Sequence, residues 1–371
     1  MEDIPVIWWV AGGGFALGLI FGATANITNF CTMGAVSDMV FMEDKRRMRA
    51  WFLAISVAIL GTQGLQAAGV FDLFNAENRA VYLTPSLGWL VAIIGGLLFG
   101  FGMTLAGGCG NKTLVRLGGG NLKSLIVFLV LGVSAYTTMR GLLAIGRLDL
   151  ESATNIDLAA RGYASQGIGD VGATLLGMDP TTGRLIIALV IAGLIAVWCL
   201  KDSAFRASRK DLVAGLIIGL LIPAGWYVTA VLGADDFDPT PVASFTFVGP
   251  TGDTLIYVMT FTGSTIDFGI AAVLGVICGS FLVAIASRTF ALESFADRAD
   301  LLRHLGGATL MGIGGVTAMG CTIGQGLSGM STLAISAVLA LISIICGAVF
   351  GMKYLEEGGI FPALMAVLKR A

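Results

Sequence analysis

Histidine is almost missing from this chain: its 371 residues hold one, His304. The six cysteines, Cys31, Cys109, Cys199, Cys278, Cys321 and Cys346, form no C-x-x-C pair. These two absences argue against a metal site such as zinc and against a thioredoxin-type redox motif, and no cofactor is implied. Charge is also scarce, at 12% of residues, where a soluble domain carries roughly 25%. The net charge of −2 excludes a strongly basic nucleic-acid binder. Glu2 and Asp3, not a basic n-region, precede the first apolar stretch, so no cleavable signal peptide is expected.

What the chain has instead is apolar length. Hydrophobic residues make up 56% and the mean hydropathy is +0.88. The expected fold class is an all-α polytopic membrane protein. Glycine is abundant, at 53 residues without a collagen period. In membrane helices that composition serves close packing, kinks and broken segments; Gly14, Gly18 and Gly22 form such a packing ladder. Nine spanning helices are predicted, near 8–25, 49–69, 85–106, 122–145, 181–199, 211–232, 264–287, 304–319 and 331–352. Crossing a bilayer upright takes about 20 residues, so the eighth reads as a helix that stops short of the far face.

Basic residues set the orientation. Most of the 22 lysines and arginines fall in alternate loops, including Lys45, Arg46, Arg47, Lys112, Arg116, Lys210 and Arg303. The opposite face carries Asp235, Asp236 and Asp238 as well as Glu2 and Asp3. The N-terminus is therefore expected outside and the C-terminus, with Lys369 and Arg370, in the cytoplasm of a bacterial inner membrane.

One short string occurs twice. GGLLFGFGMTLAGGC at 95–109 aligns without a gap on GATLMGIGGVTAMGC at 307–321, superposing Gly95, Gly100, Gly102, Ala106, Gly108 and Cys109 on Gly307, Gly312, Gly314, Ala318, Gly320 and Cys321. In the predicted topology the two copies point opposite ways. Cys109 is then expected at the cytoplasmic mouth and Cys321 at the outer one. A second match pairs NFCTMGAVSD with SFTFVGPTGD: Phe30, Gly34 and Asp38 fall on Phe245, Gly249 and Asp253, and Thr246 takes the place of Cys31. Both stretches are too short to span and read as re-entrant segments. Two inverted repeats follow: residues 1–145, an extracytoplasmic connecting loop at 146–180, and an extra helix with the second repeat in 181–371.

Three cysteines, Cys31, Cys109 and Cys321, stand where apolar helices break. Cys199, Cys278 and Cys346 lie inside ordinary apolar stretches and read as packing groups. Around Cys109, Gly108 and Gly110 allow close backbone approach, and a short helix starting near Asn111 offers unpaired N–H groups to an anion. Gly320, Thr322 and Gln325 repeat the arrangement about Cys321, with Gln325 as a donor at the outer mouth. Lysines and arginines lie towards the ends of the predicted spans and none in an interior, so neutral donors and helix N-termini would have to offset the loss of water. Thiols are weak, polarizable donors, suited to a soft sulfur-bearing anion and to its release. Apolar surroundings keep them neutral. Asp38 and Asp253 are candidates as intramembrane carboxylates, or else helix-end groups; Lys112 and Arg116 either attract an anion or mark topology, and His304 reads as an ordinary polar position.

These motifs resemble the YeeE/YedE family of sulfur-transport membrane proteins, characterised members of which include thiosulfate transporters. The resemblance rests on NFCTMG at 29–34, LAGGCGNKTLVRLGGGNLKS at 105–124, SFTFVGPTGDTL at 244–255 and GCTIGQGLSGMSTL at 320–333. It implies nine spanning helices with several short ones, narrowed at the middle. It also implies that the family's motif cysteines fall on Cys31, Cys109 and Cys321, passing thiosulfate along by hydrogen bonding, and that a small soluble sulfur-carrier protein works on the cytoplasmic side. Some relatives are linked to selenium species instead. Apart from uptake of thiosulfate or a similar small anion, two readings remain: a membrane thiol-disulfide oxidoreductase using the same cysteines, and a channel or purely structural protein.

Overall fold

The computed structural model describes residues 5–75, 78–235 and 240–368; Glu2, Asp3, Asp236, Asp238, Lys369 and Arg370 lie outside the described residues. The chain is nearly all helical. The helices are α1 (Val6–Thr28), α2 (Thr32–Phe41), α3 (Arg46–Ala67), α4 (Trp89–Leu105), α5 (Gly110–Gly118), α6 (Leu122–Arg140), α7 (Leu143–Thr154) and α8 (Ile168–Leu176). They continue as α9 (Pro180–Leu200), α10 (Ser203–Ala207), α11 (Arg209–Tyr227), α12 (Val248–Met259), α13 (Phe268–Ala286), α14 (Arg298–Thr317), α15 (Ile335–Glu357) and α16 (Ile360–Leu368). Eight helical stretches among the described residues are long and apolar enough to cross a membrane. The ninth expected span is α14. It is not short, as the sequence suggested, but 20 residues long, because its first turn begins in the charged segment at Arg298. The predicted 122–145 span ends instead at Arg140, where Gly141 breaks it.

Lipid-facing surfaces are apolar, as on α9, where Leu194 and Val197 stand 67% and 65% exposed. Water would not tolerate such a belt on one helix; hydrocarbon does. Between helices, contact runs through glycine. A Cβ on Gly18 would lie 2.4 Å from the Ala272 carbonyl, and one on Gly22 2.1 Å from that of Val276, so α1 and α13 run parallel at close quarters. Gly96 and Gly100 of α4 meet Ala340 and Ile344 of α15 in the same way. This is the small-residue packing that substitutes for a hydrophobic driving force in lipid.

α4 and α14 cross antiparallel, and their contacts are reciprocal. A Cβ on Gly95 would lie 2.4 Å from Ala318 N and 2.7 Å from Gly314 O; one on Gly307 would lie 2.5 Å from Ala106 N and 2.6 Å from Gly102 O. The segment at 146–180 is more ordered than a plain polar loop. Ile156–Asp157 pairs antiparallel with Ser86–Leu87. Gln166 caps α15, its backbone carbonyl accepting from Ile335 N at 3.1 Å and its Oε1 from Ser336 N at 3.2 Å.

Candidate functional site

The two copies of the repeated string end in the same way. α4 stops through Gly107 at φ +69°, and the Gly108 N–H donates back to Met103 O at 2.9 Å. α14 stops through Met319 at φ +55°, and the Gly320 N–H donates to Gly315 O at 2.8 Å. Both are helix stops through a left-handed residue. Met319 lacks glycine's freedom there, a strain of about 1–2 kcal/mol. A cysteine follows each stop: Cys109 opens α5, and Cys321 precedes a π-helical turn at Gly324–Gly329. Cys31 opens α2 in the same manner, after Asn29 ends α1 at φ +54°.

Five of the helices are capped by a carboxylate or amide. Asn121, Asp179, Asp202, Asp267 and Asp297 accept from the first turns of α6, α9, α10, α13 and α14. No side chain caps α2 or α5. Instead the Cys31 sulfur faces the Gly34 N–H and the Cys109 sulfur the Lys112 N–H. The Cys321 sulfur accepts from the Gly324 N–H at 3.5 Å. Each thiol thus faces the N–H three residues on, beside a positive helix end.

The tertiary structure brings these starts together. The Cys31 and Cys109 thiols face one another, and the Thr322 hydroxyl lies against Cys109. Cys31 is 4% exposed; Cys109 and Cys321 are fully buried. Cys109 and Cys321, expected at opposite mouths, are thus both enclosed by protein, because the segments that follow the two helix stops pack inside the molecule. All three are free thiols. Asn111 Nδ2 donates to Phe30 O at 3.3 Å, tying α5 to the start of α2. Of eleven buried side-chain polar atoms with no hydrogen-bond partner among the described residues, Thr32 Oγ1, Asn111 Oδ1, Thr322 Oγ1 and Gln325 Oε1 lie on the segments that follow the three cysteines, and Trp51 Nε1 belongs to the ring stacked on Phe30.

Two cavities approach from opposite sides. One, of about 650 Å³, reaches Cys31 and is walled by Arg46, Arg47, Lys112, Arg116 and Lys210. Asn29 holds two of these cations: Arg47 Nη2 donates to its carbonyl at 2.8 Å and Lys112 Nζ to its Oδ1 at 3.1 Å. The other cavity, of about 560 Å³, ends on Thr246 and carries Asp235 and Asp267. Thr246 is the position that the repeat aligns with Cys31.

The remaining sequence candidates are distributed unevenly. Asp38 lies in the basic vestibule, paired with Arg47 at 2.9 Å. Asp253 lies on α12, half-buried, with no ion pair among the described residues. Gln325 is fully buried, its amide donating to the Ala318 carbonyl, and so stands away from any mouth. Gly110 leaves room: a Cβ there would meet only Phe247 and Val248, at 3.8 and 3.9 Å. Gly108 is tighter, at 3.0 Å from Lys112, and Gly320 would press on Gln325 at 3.0 Å. Arg116 donates to Gly107 O at 2.9 Å. His304 is buried, with Nδ1 on Asp300 O at 2.7 Å. Cys199 is buried and bonded to Arg49 O at 3.4 Å, whereas Cys278 and Cys346 are exposed on helix surfaces. Sequence reasoning missed Thr32, Trp51 and Tyr82, for which only the fold supplies a signal. No group of metal-holding side chains occurs among the described residues.

The model of a family described as "Sulphur transport" matches residues 27–350. The thiosulfate transporter TsuA of Escherichia coli (strain K12) is 29% identical over 351 residues, covering 90% of this chain and 91% of that protein. The thiosulfate transporter TsuA of Spirochaeta thermophila is 27% identical over 342 residues, covering 90% and 96%.

Proposed function

The chain belongs to the sulphur-transport family, and from that membership we propose that it carries thiosulfate across the bacterial inner membrane. The carrying observation is the convergence of Cys31, Cys109 and Cys321, at uncapped or sulfur-facing helix starts, between two cavities entered from opposite sides.

Thiosulfate approaching from the Thr246 side leaves water at the narrow middle. Helix N-termini offset part of that cost, each by about 0.3–1 kcal/mol and more when partly buried. The thiols of Cys321, Cys109 and Cys31 act as neutral donors, since a thiolate would repel the ion. Their weak bonds hold it loosely, so it passes on to the basic vestibule, where Arg47 and Lys112 draw it out. Gly108, Gly110 and Gly320 let the backbone come close; Asn111, Thr322 and Gln325 supply the unmatched polar atoms. The positive vestibule is the cytoplasmic face on the positive-inside rule, with the N-terminus outside. A soluble sulfur-carrier protein receives the ion there.

The reciprocal α4–α14 contacts support the inverted-repeat organisation, with units at 1–145 and 181–371 joined through 146–180. No step in this path forms or breaks a covalent bond.

The test is uptake of labelled thiosulfate into liposomes holding the purified protein, competed by sulfate, sulfite and selenite. Saturable uptake displaced poorly by sulfate is expected. Absence of uptake, or preference for selenite, overturns the thiosulfate assignment.

A further inference from the structure

Thr246 deserves its own chemistry because it stands where the repeat predicts a fourth thiol. Its neighbours hold it firmly. Phe245 and Phe247 on either side are fully buried, both packed on Phe21 at 5.3 Å between ring centroids. Ser328 Oγ donates to the Phe245 carbonyl at 2.6 Å, fastening this segment to the π-helical turn that follows Cys321. Thr246 still lines the cavity that opens away from Cys31.

Tyr82 meets it there. This tyrosine is 4% exposed, its ring set edge-on against Trp226 at 6.3 Å, and its hydroxyl lies against Thr246 and beside Cys321. Trp226 is itself fixed, donating from Nε1 to Ser331 Oγ at 3.1 Å. Gly324 allows the close approach. A Cβ at this position would lie 2.5 Å from Thr246 Oγ1 and 3.2 Å from Tyr82 Oη, and the Gly324 N–H is the one that bonds Cys321. Two hydroxyls and one thiol therefore meet at a point where only glycine lets the backbone come so close.

We propose that Thr246 and Tyr82 form a second anion-binding station, built of hydroxyls, that receives the ion from the far cavity and hands it to Cys321. This inference rests on the thiosulfate-path reading. The chemistry is complementary: hydroxyls are stronger, harder donors than thiols and suit the oxygen end of a thiosulfate ion, leaving its soft terminal sulfur to Cys321. The two halves of the path thus differ in kind, with thiol facing thiol at Cys31 and Cys109, and hydroxyl facing hydroxyl at Thr246 and Tyr82.

Uptake of labelled thiosulfate into liposomes, measured over a range of concentrations, separates binding from turnover. Tyr82→Phe keeps the ring on Trp226 and removes only the hydroxyl. Thr246→Val keeps the shape and removes the other. Each is expected to raise KM about tenfold or more, the loss of a hydrogen bond to an ion, while Thr246→Ser recovers the KM of the parent. Unchanged KM in monodisperse Tyr82→Phe overturns the proposal, and that variant decides the matter if Thr246→Val does not fold. An unchanged KM in folded Thr246→Val also overturns it. If the parent protein itself takes up no thiosulfate, the transport reading fails, which is a separate result.

Discussion

Replacing Cys109 by alanine removes one sulfur atom from the middle of the protein. The consequences follow from its surroundings. Cys109 is fully buried, it faces the Cys31 thiol, and the Thr322 hydroxyl lies against it with no hydrogen-bond partner of its own. The helix start at Gly110 loses only the weak contact between the sulfur and the Lys112 N–H, since α5 has no other side-chain cap. The structural cost is therefore the small void left by a thiol, on the order of 1 kcal/mol. The functional cost is larger. A donor to an ion in a dry site contributes about 1.5–3 kcal/mol, which corresponds to roughly ten- to a hundredfold in binding. Labelled thiosulfate uptake by Cys109→Ala should show that loss, with thermal stability in detergent nearly unchanged. Cys109→Ser, which keeps a donor of harder character, should fall between. Cys199→Ala serves as the control: it loses a bond to the Arg49 carbonyl at 3.4 Å, away from both cavities, and should transport normally. Parental KM and rate in Cys109→Ala would refute the thiol path.

Gly22→Ala places a Cβ 2.1 Å from the Val276 carbonyl; prying α1 from α13 should cost about 1–3 kcal/mol, and an unchanged Tm in detergent would refute that packing. Asp170 is buried against Arg184 and Ser165, with Arg184 stacked 3.6 Å over Phe74. Asp170→Ala should cost about 3 kcal/mol by stranding the arginine and expose the 146–180 segment to protease; parental resistance would count against the clamp. Arg47→Gln releases Asp38 and weakens the vestibule's field. It should slow release of the ion into the vestibule and lower the maximal uptake rate a few-fold at low salt, and an unaltered rate would show that Arg47 does not draw the ion out.

Hydropathy and glycine spacing made the helices legible, because a spanning helix must be apolar along about 20 residues and a tight crossing must be small. The breaks at Gly107–Gly108 and Met319–Gly320 were legible through the repeat, although Met319 hides a left-handed turn behind an ordinary residue. The cysteines that open the short segments could be picked from composition, since Cys31, Cys109 and Cys321 alone sit at breaks. Their depth could not. A loop between spans and a segment folded back into the protein have the same local sequence, and only packing separates them. The same holds for Gln325, expected at a mouth and found buried, and for the length of α14, whose charged first turn hides it from a hydropathy scan.

By itself, then, the sequence determined a helical membrane protein, its helix count within one, and the three thiols worth naming, because each of these is written in local composition. Only the tertiary structure decided that Cys31 faces Cys109, that Tyr82 meets Thr246 beside Gly324, and that one cavity reaches Cys31 and another Thr246. Those relations join residues dozens to hundreds of positions apart. They depend on which helices lie side by side, and that is set by interlocking surfaces rather than by any one segment.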